Sequence, residues 1–286
     1  MMTFFKLLRI KHYVKNGLVF LPVFFAKELL NLNLVKMTLV GFVVFSLTTS
    51  IVYIVNDIHD VESDRLHPIK KNRPIAASLV SVRQAWFIAL FLGLVVIGLI
   101  LTFSFNSMSI FFLVLYLLSN FLYSIKLKQY ALIDISIIAL SYILRVLFGG
   151  AIVNIVISNW LILTIMAFSF FMAFGKRRNE LIKNGSESRS VLSKYKHEFL
   201  DKSMYVSQTM FIIFYSLWSL AENPFITHNN LLIWTVPIIS MITFRYSMII
   251  ESDSYGDPSD ILFSDKVLFS LVMIYVFFVG FIYFMQ

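Results

Sequence analysis

The stretch Asn56-Asp57-Ile58-His59-Asp60-Val61-Glu62-Ser63-Asp64 spaces three aspartates at i, i+3 and i+7, directly after an apolar run ending at Val55. On a helix this spacing puts the three carboxylates on one face. Like charges so arranged repel, and the pattern costs stability unless a cation offsets it. Carboxylates with no cysteine partner suit a hard ion such as Mg2+. Asn56, Asp57, Asp60 and Asp64 are the candidate ligands. Mg2+ keeps waters and usually joins a few carboxylates to substrate phosphates. A solvated acidic turn paired with Arg65 and Lys70 is the plainer alternative. It explains the site less well, because an acid at mid-bilayer costs about 2.5–3.5 kcal/mol and Asp57 abuts the apolar run.

Arg65, Lys70, Lys71, Arg73 and Arg83 follow in the same polar segment. Acids beside bases make the composition of a metal–diphosphate site, in which the metal takes some phosphate oxygens and Lys and Arg take the rest. Asp60, Asp64, Lys71 and Arg73 are the candidate catalytic residues. Arg65, His67 and Lys70 are candidate substrate contacts. Arg83 reads as topological charge bias alone. Pro68 and Pro74 bracket the segment and favour a non-helical loop.

The elements that must position these groups are membrane helices. Of 286 residues, 59% are hydrophobic and 14% charged, against roughly 45–50% and 25% in soluble domains. The absence of cysteine excludes a disulfide scaffold, a zinc ribbon and a thiol nucleophile. Thirty Phe and 13 Tyr suit lipid-facing surfaces and interfacial belts. The net charge is +8, but its bases lie between apolar runs. Phospholipid or a phosphorylated substrate therefore fits better than nucleic acid. Runs of roughly 20 apolar residues predict an all-α polytopic bundle of about nine spans, near 17–33, 38–56, 85–104, 108–124, 131–152, 157–175, 204–221, 231–249 and 267–285. Asn106-Ser107 and the polar stretch from Asn154 to Asn159 supply the least obvious breaks.

With these spans, nearly all Lys and Arg fall in one set of loops, and the other set holds only Lys27 and Lys36. The positive-inside rule then puts the N-terminus in the cytoplasm and the C-terminus outside. The whole chain, 1–286, reads as one integral membrane domain. Residues 1–15 form an interfacial amphipathic helix. Cytoplasmic active-site loops are expected near 57–84, 124–131, 176–203 and 250–266. No cleavable signal peptide is apparent.

Asn-Asp-x-x-Asp-x-x-x-Asp at the end of a second span resembles the UbiA-type superfamily of intramembrane prenyltransferases. The continuation His67-Pro68-x-Lys70-x-x-Arg73-Pro74-Ile75-Ala76 resembles its decaprenyl-phosphate phosphoribosyltransferase branch. Tyr13-x-Lys15-Asn16, Tyr123-Ser124-x-x-Leu127-Lys128 with Asp134, Arg145 with Gly149-Gly150, Gly175-Lys176-Arg177-Arg178-x-Glu180-Leu181, and Arg245-Tyr246 followed by Pro258 and Asp265 fit that branch. The resemblance implies transfer of 5-phosphoribose from phosphoribosyl pyrophosphate to a polyprenyl phosphate in a bacterial cytoplasmic membrane, with Mg2+. It also suggests a homo-oligomer, with a trimer the expected form.

Members that use a prenyl diphosphate usually carry a second Asp-x-x-x-Asp motif. Here Asp134 is followed four residues later by Ile138, which leaves fewer ligands for a second Mg2+. Lys15, Asn16, Tyr123, Lys126, Lys128, Asp134, Lys176 and Arg177 are further substrate-binding candidates. Tyr123 is equally readable as an aromatic-belt residue. Arg178 is expected at lipid headgroups. Arg145, inside a span, is a site candidate by default, while Gly149-Gly150 suits close helix packing. An anionic acceptor needs no strong base, so direct displacement with inversion at the anomeric carbon is expected. Two alternatives stay open: prenyl transfer from a diphosphate to an aromatic acceptor, and a transporter or lipid-binding protein without chemistry.

Overall fold

The computed structural model describes residues 2–66, 70–184, 191–221, 230–252, 261–262 and 264–284. The ordered elements are helices: α1 Met2–Leu8, α2 Leu21–Phe25, α3 Leu32–His59, α4 Val61–Leu66, α5 Val82–Thr102, α6 Ser107–Ile125, α7 Ile133–Ile152, α8 Asn159–Asn184, α9 His197–Leu220, α10 Val236–Glu251 and α11 Lys266–Phe284. Among the described residues, six stretches are long and apolar enough to cross a membrane: α3, α5, α6, α7, residues 159–182 of α8, and Leu231–Glu251. A shorter apolar stretch, Lys266–Ile282, lies in α11.

The sequence pattern suggested nine spans; three of them, 17–33, 204–221 and 267–285, are not among the six stretches found in the described residues. The expected first span, 17–33, is not one helix. It divides among a 3-10 helix Ile10–Phe20, α2 and a 3-10 turn Glu28–Leu30. Pro22 sits at the start of α2, and Lys27 adopts a left-handed conformation (φ 60°) that ends the run. The expected seventh span, 204–221, lies almost wholly within α9, which is helical but is not among the six.

Side-chain caps set several of the boundaries. Ser81 and Gln84 form a reciprocal capping box at the start of α5. Asn106 accepts from the Ser109 amide (2.8 Å) at the start of α6. The same Asn106 also donates to the Ala151 carbonyl and to Asn154. The polar breaks at Asn106-Ser107 and 154–159 thus lie at real helix ends. Within the expected third loop, α8 continues through Asn184 and α9 begins at His197.

Contacts divide the chain into two compact units: 1–127 with 144–156, and 128–143 with 157–286. In the first unit, α3 is the central element. Leu7 and Leu8 of α1, Ile54 of α3, Ile75 of the following loop and Ala85, Ala89 and Leu92 of α5 form one buried cluster. In the second unit, Ile135 of α7, Phe171 and Ala173 of α8, Leu200 and Met204 of α9 and Tyr246 and Ile250 of α10 form another. Lipid offers helices no apolar driving force to associate, so tight packing and polar contacts carry the cohesion. Gly149 shows how tight that packing is. A Cβ there would lie 2.2 Å from the Val19 carbonyl oxygen, so backbone meets backbone where a side chain has no room.

Gly149→Ala is expected to lower stability by about 1–3 kcal/mol through overpacking. A thermal melt of the purified protein in detergent reads this as a lower midpoint, whereas Gly98→Ala, where an added Cβ meets nothing within 4 Å, should leave it unchanged.

Candidate active site

One face of α3 carries Ser46, Ser50 and Asp57, and the N-terminal segment pairs with it rung by rung. The Asn16 side chain donates to Ser46 (3.0 Å), Tyr13 bonds Ser50 (2.8 Å), and Arg9 Nη2 lies 2.5 Å from Asp57 Oδ1. Ser50 also donates to the Leu8 carbonyl (2.8 Å). Arg9 itself is left-handed (φ 53°), an unfavourable state for a side chain with a Cβ. That conformation ends α1 and starts the 3-10 helix that runs along α3. The Arg9 guanidinium stacks 4.5 Å above the Tyr53 ring.

Asp57 and Asp64 are buried, at 2% and 3% exposure, and converge on one cation. Arg73 Nη1 lies 2.6 Å from Asp64 Oδ2 and 3.1 Å from Asp57 Oδ1. The loop that delivers Arg73 is anchored by Pro74, Ile75 and Ala76, all buried. It is closed by Ala77 N–H to Arg73 O (2.8 Å) and Leu79 N–H to Pro74 O (2.9 Å). The bonds from Arg9 and Arg73 to Asp57 and Asp64 are charge-assisted, the strong kind. A buried carboxylate stripped of its only cation costs about 3–5 kcal/mol, and Asp57 has two.

Asp57 and Asp64 share a face, and Asp60 sits at the junction of α3 and α4. α3 ends at His59, Asp60 caps it (φ −93°, ψ 8°), and α4 restarts at Val61. Asp60 stays half-buried, and its carbonyl takes the Asp64 amide (2.8 Å). Among the described residues no three His, Asp or Glu side chains close on one point. The pair Asp57 and Asp64 does close, and the charge it surrounds is a guanidinium nitrogen. Two hard oxygen donors on a shared cationic point are chemistry that fits Mg2+.

The other candidates are scattered through both units. Asn56 is half-buried at the end of α3. Arg65 turns to the Ala76 carbonyl (3.4 Å) and Ser78 (3.5 Å). Lys70 is half-buried and Lys71 exposed, while His67 lies outside the described residues. Lys15, Tyr123, Lys128 and Lys176 are half-buried, and Lys126 is exposed. Arg145 is committed inside the first unit. Its Nε donates to Asn16 (2.8 Å), its Nη2 reaches Tyr116 (3.4 Å), and the rings of Phe45 and Tyr116 lie beside it. An apolar cavity of about 190 Å3 has Val52 and Val55 of α3 and Leu118 and Phe121 of α6 in its wall.

In the second unit Asp134 is fully buried and both its oxygens are engaged. Arg177 Nε donates to Oδ2 (2.6 Å) and the Tyr195 hydroxyl to Oδ1 (2.7 Å). Arg177 also holds Glu180 (2.5 Å). The Leu132 amide donates to the Tyr195 oxygen (2.6 Å). Burial, then the neighbouring Asp134 carboxylate, push the Tyr195 phenol up, so it remains a neutral donor. Arg178 is not at lipid headgroups. It is buried and paired with Asp201 and the Ile250 carbonyl, because the helical register of α8 turns it towards α9 and α10. Arg9 and Tyr195 were not site candidates from sequence. Their partners lie 48 and 61 residues away, and no local pattern encodes such pairings.

The family model for UbiA prenyltransferases matches residues 17–254. The chain belongs to the UbiA prenyltransferase family. It is 35% identical over 249 residues to the decaprenyl-phosphate phosphoribosyltransferase of Mycobacterium tuberculosis (strain H37Rv), covering 84% of this chain and 79% of that protein. It is 32% identical to the enzyme of that name from Corynebacterium glutamicum, covering 95% of this chain and 84% of that protein. A UbiA homolog from Archaeoglobus fulgidus bound to GPP and Mg2+ superposes with a TM-score of 0.74 at 17% identity, covering 98% of this chain and 99% of that one. This UbiA-family protein is therefore a polytopic membrane transferase.

Two outcomes follow for this UbiA-family chain. Arg177→Met, which leaves Asp134 buried without its cation, should cost about 3–5 kcal/mol. Asp134→Asn should cost less, since Arg177 keeps Glu180; detergent thermal melts compare the two. In α10 and at the start of α11, Arg245 donates to both oxygens of Asp265 (3.2 and 2.7 Å), and with the Leu268 amide (2.7 Å) it holds that carboxyl below its ordinary value of 3.8. A lowered folded-state value means the stabilisation is fully present above the unfolded value and is lost as pH falls through the folded one. Melts taken from pH 6 down to about pH 3 should therefore drop less steeply in Asp265→Asn than in wild type.

Proposed function

We propose that this protein transfers 5-phosphoribose from phosphoribosyl pyrophosphate to a polyprenyl phosphate, releasing pyrophosphate, at the cytoplasmic face of a bacterial inner membrane. The observation that carries the reading is the pair of buried carboxylates, Asp57 and Asp64, converging on a cation where the apolar helix α3 ends. The names of relatives at about one-third identity over most of the chain point the same way.

Asp57 and Asp64, with Asn56 and Asp60 beside them, would hold Mg2+, which supplies charge neutralisation on the departing pyrophosphate. Lys70, Lys71 and Arg73 lie in the same loop and add fixed positive charge where that negative charge develops. A phosphate oxygen of the acceptor forms the new bond to the anomeric carbon. The bond from that carbon to pyrophosphate breaks, and its electron pair leaves with pyrophosphate. The acceptor oxygen is anionic at neutral pH, so no side chain has to take a proton. The apolar cavity beside Val52 and Val55 offers a surface that fits an isoprenoid chain, and Val55 directly precedes Asn56. The positive-inside bias supports a cytoplasmic N-terminus.

Prenyl transfer to an aromatic acceptor is favoured less. Asp134 stands alone in the place of a second acidic motif, and both its oxygens are held by Arg177 and Tyr195. The deciding assay incubates purified protein with Mg2+, polyprenyl phosphate and labelled phosphoribosyl pyrophosphate. Label is expected in the lipid phase with inverted anomeric configuration. Asp64→Ala and Asp60→Ala should each lose it, by more than about a hundredfold, while still inserting in membranes. An unlabelled lipid phase, with product formed instead from a prenyl diphosphate, overturns the reading.

A further inference from the structure

Arg73 holds the point that a divalent cation between Asp57 and Asp64 would need. Its Nη1 touches both carboxylates, at 3.1 and 2.6 Å. The same Asp57 oxygen also takes Arg9. The two arginines differ in how they are tied down. Arg9 stacks on Tyr53 and ends a left-handed turn. Arg73 projects from a loop whose backbone is fixed by buried Ile75, while its own side chain is 25% exposed. The Arg73 guanidinium can therefore leave without moving the loop, and Arg9 would still neutralise Asp57.

We propose that Arg73 is a placeholder cation whose displacement couples metal binding to donor binding. The inference rests on the reading of Asp57 and Asp64 as ligands of a divalent cation. Metal arriving alone must compete with a guanidinium for both carboxylates and leaves that guanidinium without an acidic partner. Metal arriving with a diphosphate gives the freed guanidinium a new anion at the same place. The bare site is thus weak for metal, and the site with diphosphate is strong. By linkage the coupling is reciprocal, so metal raises diphosphate affinity by the same factor. Arg73 acts here as a positioning residue in the empty site and becomes a donor contact in the loaded one.

The test is Mn2+ binding to the full-length purified protein in detergent, read by equilibrium dialysis as the Mn2+ retained with the protein, with and without equal pyrophosphate on both sides. In wild type, pyrophosphate should raise Mn2+ affinity by about tenfold or more. Arg73→Gln should bind Mn2+ alone about tenfold more tightly than wild type and lose most of the pyrophosphate enhancement. Arg73→Lys, which keeps the charge but not the fork that spans both carboxylates, should fall between them. Arg83→Gln removes one exposed charge from the same segment without vacating the site and should match wild type. Arg73→Gln binding Mn2+ no more tightly than wild type overturns the proposal, as does an equal gain in Arg83→Gln, which would reduce the effect to net charge. If no variant binds Mn2+ even with pyrophosphate, the metal-site reading itself fails.

Discussion

A carboxylate buried at the end of a long apolar helix needs a cation, and the first unit is arranged around that need. Asp57 follows Val55 and Asn56 on α3 and is 2% exposed. It takes Arg9 from the N-terminal segment and Arg73 from the loop after α4. Removing all its cations would leave a buried charge uncompensated, which is among the most costly single changes a fold can suffer. The N-terminal segment is held against α3 by the same row of contacts that ends at Arg9. The loop bearing Arg73 is held by Ile75 within the cluster of α1, α3 and α5. Electrostatic need and apolar packing thus select the same arrangement.

The two units use buried acid–guanidinium pairs differently. In the second, Asp134 and Arg177 are both essentially inaccessible, and Tyr195 takes the remaining carboxylate oxygen. That network ties the start of α7 to α8 and to the segment before α9. In the first unit the guanidinium facing Asp57 and Asp64 keeps a quarter of its side chain exposed. One pair suits a fixed strut and the other suits exchange with an incoming ligand.

The reaction proposed for this protein joins a water-soluble donor to a lipid, and both would have to reach one site. The acidic and basic groups of the first unit lie where the apolar part of α3 ends, and an apolar cavity flanks α3 just before that point. Polar and apolar requirements are met by consecutive turns of a single helix.

The amino-acid order by itself determined the apolar spans at α3, α5, α6, α7, α8 and α10, the breaks at Asn106 and at 154–159, and the family, because hydropathy and a compact acidic motif are local properties. It also marked Asp57, Asp64, Arg73, Asp134 and Arg177 as candidates for the site. It did not determine which of them meet. Pairing of Arg9 with Asp57, Arg145 with Asn16 and Arg177 with Asp134 joins residues tens to more than a hundred positions apart. Asp60 reads as a mid-helix residue, whereas α3 ends at His59 and Asp60 sits at its junction with α4. The segment 17–33 reads as a span from its hydropathy, yet Pro22 and left-handed Lys27 divide it. Arg178 reads as a headgroup contact because composition carries no direction. Packing of α8 against α9 and α10 turned it inward, since a guanidinium facing the bundle must find an acid, and Asp201 was there.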